Sequence, residues 1–112
     1  MNIMTRQAGE ATIVDVAGDI TLYQSPELRK VLLDLIKVKH TQRVIVNLTQ
    51  VKYIDSAGVA SLIEGLKASR DAKTTFALYG LSKIAREVLE LTRLLKVFEV
   101  YDDEAQALQG KA

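Results

Sequence analysis

The chain is 112 residues long, with 15 basic and 14 acidic residues and a formal net charge of +1, which suits one domain able to bury a core without metal or disulfide help. A charge so near zero, with no Trp and no basic-aromatic cluster, argues against nucleic acid as a partner. The absence of Cys removes disulfides, thiolate catalysis and Cys-ligated zinc, and a single His excludes a histidine acid–base pair or a multi-His metal site.

No apolar run approaches the roughly 18 residues needed to cross a bilayer. Met1-Asn2-Ile3-Met4-Thr5-Arg6 lacks the apolar stretch of a signal peptide, so a cytoplasmic protein without direct membrane insertion is expected. Thr12-Ile13-Val14-Asp15-Val16 is short, β-branched and partly alternating, the pattern of a strand. Gly18-Asp19 breaks it, and Ile20-Thr21-Leu22-Tyr23 reads as a second, shorter extended piece. Ser25-Pro26-Glu27 then signals a helix start, with serine as cap, proline at the first position and an acid in the first turn. Leu28, Leu32, Leu35 and Ile36 share the face that this helix turns inward. His40, in the polar stretch Lys39-His40-Thr41-Gln42, reads as a solvated loop residue.

Val44-Ile45-Val46-Asn47-Leu48 is almost unbroken hydrophobic, as expected of a central strand covered on both faces. Val59 to Arg70 has helical spacing, with Val59, Leu62, Ile63 and Leu66 inward. Thr74 to Tyr79 reads as another strand, closed by Gly80. Ser82 is placed to cap a third helix in which Ile84, Val88, Leu91 and Leu95 share a face, with Lys83–Glu87 and Arg86–Glu90 as opposite charges four apart. Leu94 and Leu95 stand side by side near its end, packed against the final helix. Val97-Phe98-Glu99-Val100 is a final strand, and Asp102-Asp103-Glu104 opens a short helix ending near Gly110.

Strands alternating with helices predict a single layered α/β domain over residues 1–112, with four to five strands and about four helices. The units from Val44 to Val100 imply right-handed crossovers between neighbouring parallel strands. In such sheets, functional surfaces gather in the loops after the carboxyl ends of strands. Tyr53-Ile54-Asp55-Ser56-Ala57-Gly58 occupies one of these loops and runs into the second long helix.

A helix start leaves several backbone N–H groups unpaired, and these with the helix dipole favour negative charge. The local pattern leaves two readings of Ser56 open. It is either a phosphoacceptor or part of an ordinary cap made by Asp55 or Ser56, with Gly58 easing the turn. Tyr23, Gln24 and Ser25 form a second polar loop, read either as a neighbour of Ser56 or simply as a loop leading into a capped helix. Catalysis has little to work with: Ser56 has no His, nothing favours a Ser–Lys pair with Lys52 or Lys67, and Asp15, Asp19 and Asp55 form only a loose carboxylate set. Neither a GxxxxGK[ST] loop nor a GxGxxG fingerprint is present. A non-enzymatic domain with no catalytic residue, no cofactor and no metal is expected.

Val46-Asn47-Leu48 and Val51-Lys52-Tyr53-Ile54-Asp55-Ser56-Ala57-Gly58 resemble the core signature of STAS domains, specifically the single-domain anti-sigma-factor antagonists of bacteria. Gly18-Asp19-Ile20, Tyr79-Gly80-Leu81-Ser82 and Leu94-Leu95-Lys96-Val97-Phe98 extend the resemblance along the chain. It implies a small mixed β-sheet flanked by the helices, and an antagonist that, when unphosphorylated, captures an anti-sigma factor, often a histidine-kinase-like serine kinase. That kinase inactivates its captor by phosphorylating the motif serine, and a phosphatase reverses the step. By motif the acceptor is Ser56, and the expected partner surface is Tyr23, Gln24, Ser25, Asp55, Ser56, Ala57, Gly58 and Val59.

The chain departs from that pattern at two places. Thr21 stands where kinase substrates usually carry an acid, three positions after the glycine, and Val59-Ala60 replaces a frequent Leu-Gly. The alternative roles that the resemblance allows are a regulatory subunit of a phospholipid-transport ABC complex, docked on its ATPase, and a stress-signalling scaffold. Nucleotide binding by the domain itself has weak support.

Overall fold

The computed structural model describes residues 1–110. Its sheet has five strands in chain order: β1 (Asn2–Ala8), β2 (Ala11–Ala17), β3 (Arg43–Gln50), β4 (Thr75–Tyr79) and β5 (Glu99–Tyr101). β1 and β2 form an antiparallel hairpin, whereas β2 through β5 are parallel neighbours. Each parallel step is bridged by a helix: α1 (Ser25–Leu33, continued by a π-helical stretch Asp34–Val38), α2 (Ser56–Asp71) and α3 (Lys83–Leu91). A fourth helix, α4 (Glu104–Gln109), follows β5.

The pleat sends alternate residues to opposite faces of the sheet. Val14, Val16, Val44, Val46, Leu48, Phe76 and Leu78 meet Leu28, Leu32, Val59, Leu62 and Leu89 from the three crossover helices in the main core. Ile13, Ile45, Ala77 and Tyr79 face the other way and are covered by Ala107 of α4. β3 thus has the two-sided burial that its apolar run predicts.

Several expectations are corrected. β1 carries no apolar alternation: only Ile3 and Ala8 are even half-buried, so its strand character comes from pairing with β2 across Gly9 at φ 64°. Ile20–Tyr23 is not a strand. Ile20 alone bridges Ile54, and the Thr21 carbonyl accepts the amides of Gln24 (3.0 Å) and Ser25 (2.8 Å), which turns the chain into α1. Because that turn already engages the Ser25 amide, Gln24 holds the cap position without a side-chain bond and Ser25 is buried inside the first turn.

In α3 the buried residues are Ala85 and Leu89, and Val88 packs half-buried on the main core as expected. Ile84 and Leu91 are 50% and 85% exposed, and Leu95 lies beyond the helix end. Among the described residues neither Lys83–Glu87 nor Arg86–Glu90 is an ion pair, and Arg86 instead lies 4.0 Å from Asp102. Leu94 and Leu95 pack on the main core, not on α4, which lies across the sheet. His40 is exposed with φ 54°.

Candidate functional site

The chain leaves β3 at the carboxyl end of the sheet and makes a tight turn, closed by the Val51 amide on the Leu48 carbonyl at 3.0 Å. Ile54 is then buried, and residues 53–55 are laced to residues 19–22 of the loop between β2 and α1. The Tyr53 amide donates to Asp19 Oδ1 (3.2 Å), the Ile20 amide to the Tyr53 carbonyl (3.1 Å), and the Asp55 amide to the Ile20 carbonyl (3.1 Å). Gly58 permits this approach: a β-carbon there would lie 2.7 Å from both Ile20 O and Ile54 Cγ1. Its role is close packing more than freedom to turn, since glycine alone lets the helix touch the loop backbone.

Asp55 is the cap of α2. Its backbone is extended, and its Oδ1 accepts the Gly58 amide at 2.9 Å, satisfying one of the unpaired donors of the helix start. Its other oxygen, Oδ2, accepts the Leu22 amide at 2.9 Å. One carboxylate therefore holds two backbone segments, the loop at Leu22 and the start of α2.

Ser56 is the first residue of α2 and is exposed, and its hydroxyl takes no part in the cap that Asp55 supplies. The two segments that Asp55 joins also leave apolar side chains in solvent: Leu22 at 65% exposure, Tyr23 at 89% and Tyr53 at 44%. The start of α3 joins this end, because the Ser82 hydroxyl caps α3 at the Ala85 amide (3.0 Å) and donates to the Lys52 carbonyl (2.8 Å). A groove of about 360 Å³ between α1 and α2 is lined by Ser25, Pro26, Ala57 and Ser61. Ser61 Oγ closes its floor by donating to the Ser25 carbonyl at 3.0 Å.

The residues expected at the partner surface thus divide. Tyr23 and Ser56 are exposed, Gln24, Asp55 and Ala57 are half-buried, and Ser25, Gly58 and Val59 are buried and shape the surface from beneath. Thr21 donates its hydroxyl to Gln24 Oε1, so this place holds a neutral pair. Leu22 and Tyr53 belong to the surface but were not among the expected contacts. Tyr53 stands inside the recognised motif and was legible there. Leu22 was not, since what ties it to the site is its backbone amide.

Asp15, Asp19 and Asp55 do not assemble into one carboxylate site. Asp15 lies with Arg6 and Asn47, Asp19 holds the Tyr53 amide, and Asp55 is the cap. Lys67 stands about three turns along α2 from Ser56, and His40 precedes β3 at the opposite end of the sheet. The perturbed groups lie on the α4 side. Arg6 donates to Asp15 at 2.7 Å and to Glu104, holding both carboxyls below their usual range and the guanidinium above its own. Burial, with a hydrogen bond to Glu104, pushes the Tyr79 phenol up to about 12. This network fastens α4 to β1 and the sheet and leaves the Ser56 end untouched.

Among the described residues, no group of three or more His, Cys, Asp or Glu is placed to hold a metal, and no helix is long and apolar enough to cross a membrane.

A family model described as the STAS domain matches residues 2–107. The chain is similar to the anti-sigma-B factor antagonist of Listeria monocytogenes, at 30% identity over 91 residues, covering 81% of this chain and 79% of the relative. It is also similar to the anti-sigma-B factor antagonist of Staphylococcus epidermidis, at 30% identity over 100 residues, covering 89% and 92%. An anti-sigma-factor antagonist (STAS) domain protein from Planctomyces limnophilus shares the fold, with a TM-score of 0.86 at 20% identity over 96% of this chain and 95% of that one.

Proposed function

This chain belongs to the STAS domain family, and on that premise we propose that it is an anti-sigma-factor antagonist, a regulator that acts by binding. In this reading the unphosphorylated chain captures an anti-sigma factor of the histidine-kinase-like serine kinase type, and phosphorylation of Ser56 ends the capture. The observation that carries it is the division of labour at the start of α2: Asp55 makes the cap and ties in the Leu22 amide, which leaves Ser56 exposed and free of the cap.

The physics of the switch follows from that position. Transfer of a phosphoryl group from a nucleoside triphosphate to Ser56 Oγ, with loss of the hydroxyl proton, adds about −1.5 to −2 charges and several acceptor oxygens. At the first residue of a helix the dipole offsets part of that charge, so the fold survives. A docked partner fares differently, because a dianion in an interface must be desolvated or paired. A loss of about 3 kcal/mol lowers affinity about a hundredfold, enough to release a partner.

A second reading, a regulatory subunit docked on an ABC-type ATPase, is favoured by one observation: Thr21 supplies no carboxylate where kinase-substrate members of the family carry one. Affinity capture from native extract, with mass spectrometry of the captured proteins and of Ser56, separates the two. Recovery of a histidine-kinase-like ATPase, with phosphate on Ser56 in the uncaptured fraction, supports the antagonist. Recovery of a transporter ATPase and permease supports the other, and a phosphatase recovered with the kinase would complete the cycle.

A further inference from the structure

The Asp55 carboxylate does two jobs with two oxygens. Oδ1 accepts the Gly58 amide at 2.9 Å and caps α2, while Oδ2 accepts the Leu22 amide at 2.9 Å and holds the loop between β2 and α1. On either side of Leu22 the loop is fixed by other means. Ile20 is buried and laced to Tyr53 and Asp55, and the Thr21 carbonyl takes the amides of Gln24 and Ser25. Between those anchors the Leu22 amide is the bond that joins the exposed Leu22–Tyr23 corner to the start of α2. That corner carries the two most exposed apolar side chains at this end of the molecule.

We infer that Asp55 is a relay: a phosphate on Ser56 drives the Asp55 carboxylate off the Leu22 amide and frees the Leu22–Tyr23 corner, so phosphorylation loosens the docking surface as well as charging it. The inference rests on the reading of Ser56 as the phosphoacceptor. The causes are elementary. Ser56 is the next residue in the chain, so its phosphate is a dianion set beside a carboxylate, and like charges this close repel. The phosphate oxygens also compete for the backbone donors of the helix start that the carboxylate now uses. Oδ2 is the oxygen with less to lose, since its partner belongs to a surface loop and not to the helix.

The relay is separable from the cap by substitution. In Asp55→Asn the side-chain carbonyl still accepts the Gly58 amide, because Asn caps helices as well as Asp. The amide nitrogen that replaces Oδ2 is a donor, however, and cannot accept the Leu22 N–H. The test is residue-resolved amide hydrogen exchange on three full-length proteins: wild type, Asp55→Asn, and protein with phosphoserine installed at position 56 during translation.

Loss of one charge-assisted hydrogen bond should speed exchange at Leu22 by about tenfold to a hundredfold in both altered proteins. Gly58 in Asp55→Asn, and the core amides of β3 in both, should stay at wild-type rates. Leu22 exchange at the wild-type rate in the phosphoserine protein, or in Asp55→Asn, overturns the relay, as does a uniform acceleration that includes β3. Capture of the partner kinase by the same proteins tells the two ideas apart. If phosphate abolishes capture while Leu22 is unchanged, the relay fails and the switch stands. If phosphate leaves capture unchanged, the switch fails.

Discussion

A β-carbon on Gly58 would lie 2.7 Å from the carbonyl oxygen of Ile20, and that carbonyl already accepts the Asp55 amide at 3.1 Å. The first turn of α2 therefore rests directly on the backbone of the loop that presents Leu22 and Tyr23. Gly58→Ala should destabilise the protein by about 1–3 kcal/mol through overpacking, even though alanine favours a helix interior by about 1 kcal/mol. Urea unfolding measures this, and an alanine variant as stable as wild type would show that loop and helix are not in firm contact.

Tyr23, at 89% exposure, contributes almost nothing to the core. As an exposed aromatic next in the chain to Leu22, whose amide is held by Asp55, it is placed to anchor a partner. Tyr23→Ala should leave the unfolding midpoint unchanged and lower partner affinity about tenfold or more, as truncation of an aromatic anchor does. Titration calorimetry against the captured partner checks it, and unchanged affinity would remove Tyr23 from the docking surface.

On the other face of the sheet, the Arg6 guanidinium keeps Asp15 and Glu104 ionised to lower pH than usual. A carboxyl whose folded pKa is depressed contributes stability above its unfolded pKa and loses it as pH falls through the folded value. Wild type should lose resistance to urea on acidification from about pH 5 downward. Arg6→Ala should start less stable at neutral pH and change less over the same range. Parallel pH dependences for the two proteins would show that this exposed pair is screened out by solvent.

Tyr79 gives the alkaline counterpart. Its phenol is buried and donates to Glu104 at 3.0 Å, which raises its pKa from 10.0 to about 12. The folded state favours the neutral phenol, so this contribution is complete below the unfolded pKa of about 10 and disappears as pH rises through the folded value. An absorbance titration should show late-ionising tyrosines, Tyr79 and the likewise buried Tyr101, of which Tyr79→Phe removes one, and the variant should lose less stability in that window. Early, uniform ionisation of all tyrosines would contradict it.

The parts of this molecule that were legible in the sequence are those whose own residues decide their state. Val44–Leu48 is buried on both faces whatever surrounds it, and Asp55-Ser56-Ala57-Gly58 carries a cap and a close-packed glycine in its own spelling. β1 was not legible, because Asn2–Ala8 is mostly exposed and becomes a strand only through its pairing with β2. Ile20-Thr21-Leu22-Tyr23 reads as a short extended piece after the Gly18-Asp19 break, yet only Ile20 is buried and one bridge to Ile54 accounts for it. In α3 the large Ile84 outweighed the small Ala85 in the pattern, yet it is Ala85 that joins the core while Ile84 is half exposed. The tie between Asp55 and Leu22 had no signal, since a backbone amide is the same at every residue except proline.

The most direct test of the switch is the dissociation constant of the captured kinase for the unmodified chain and for the chain carrying phosphoserine at position 56, with circular dichroism of both. Binding weaker by about a hundredfold, with an unchanged spectrum, is the predicted result. Equal affinity for the two forms would contradict it.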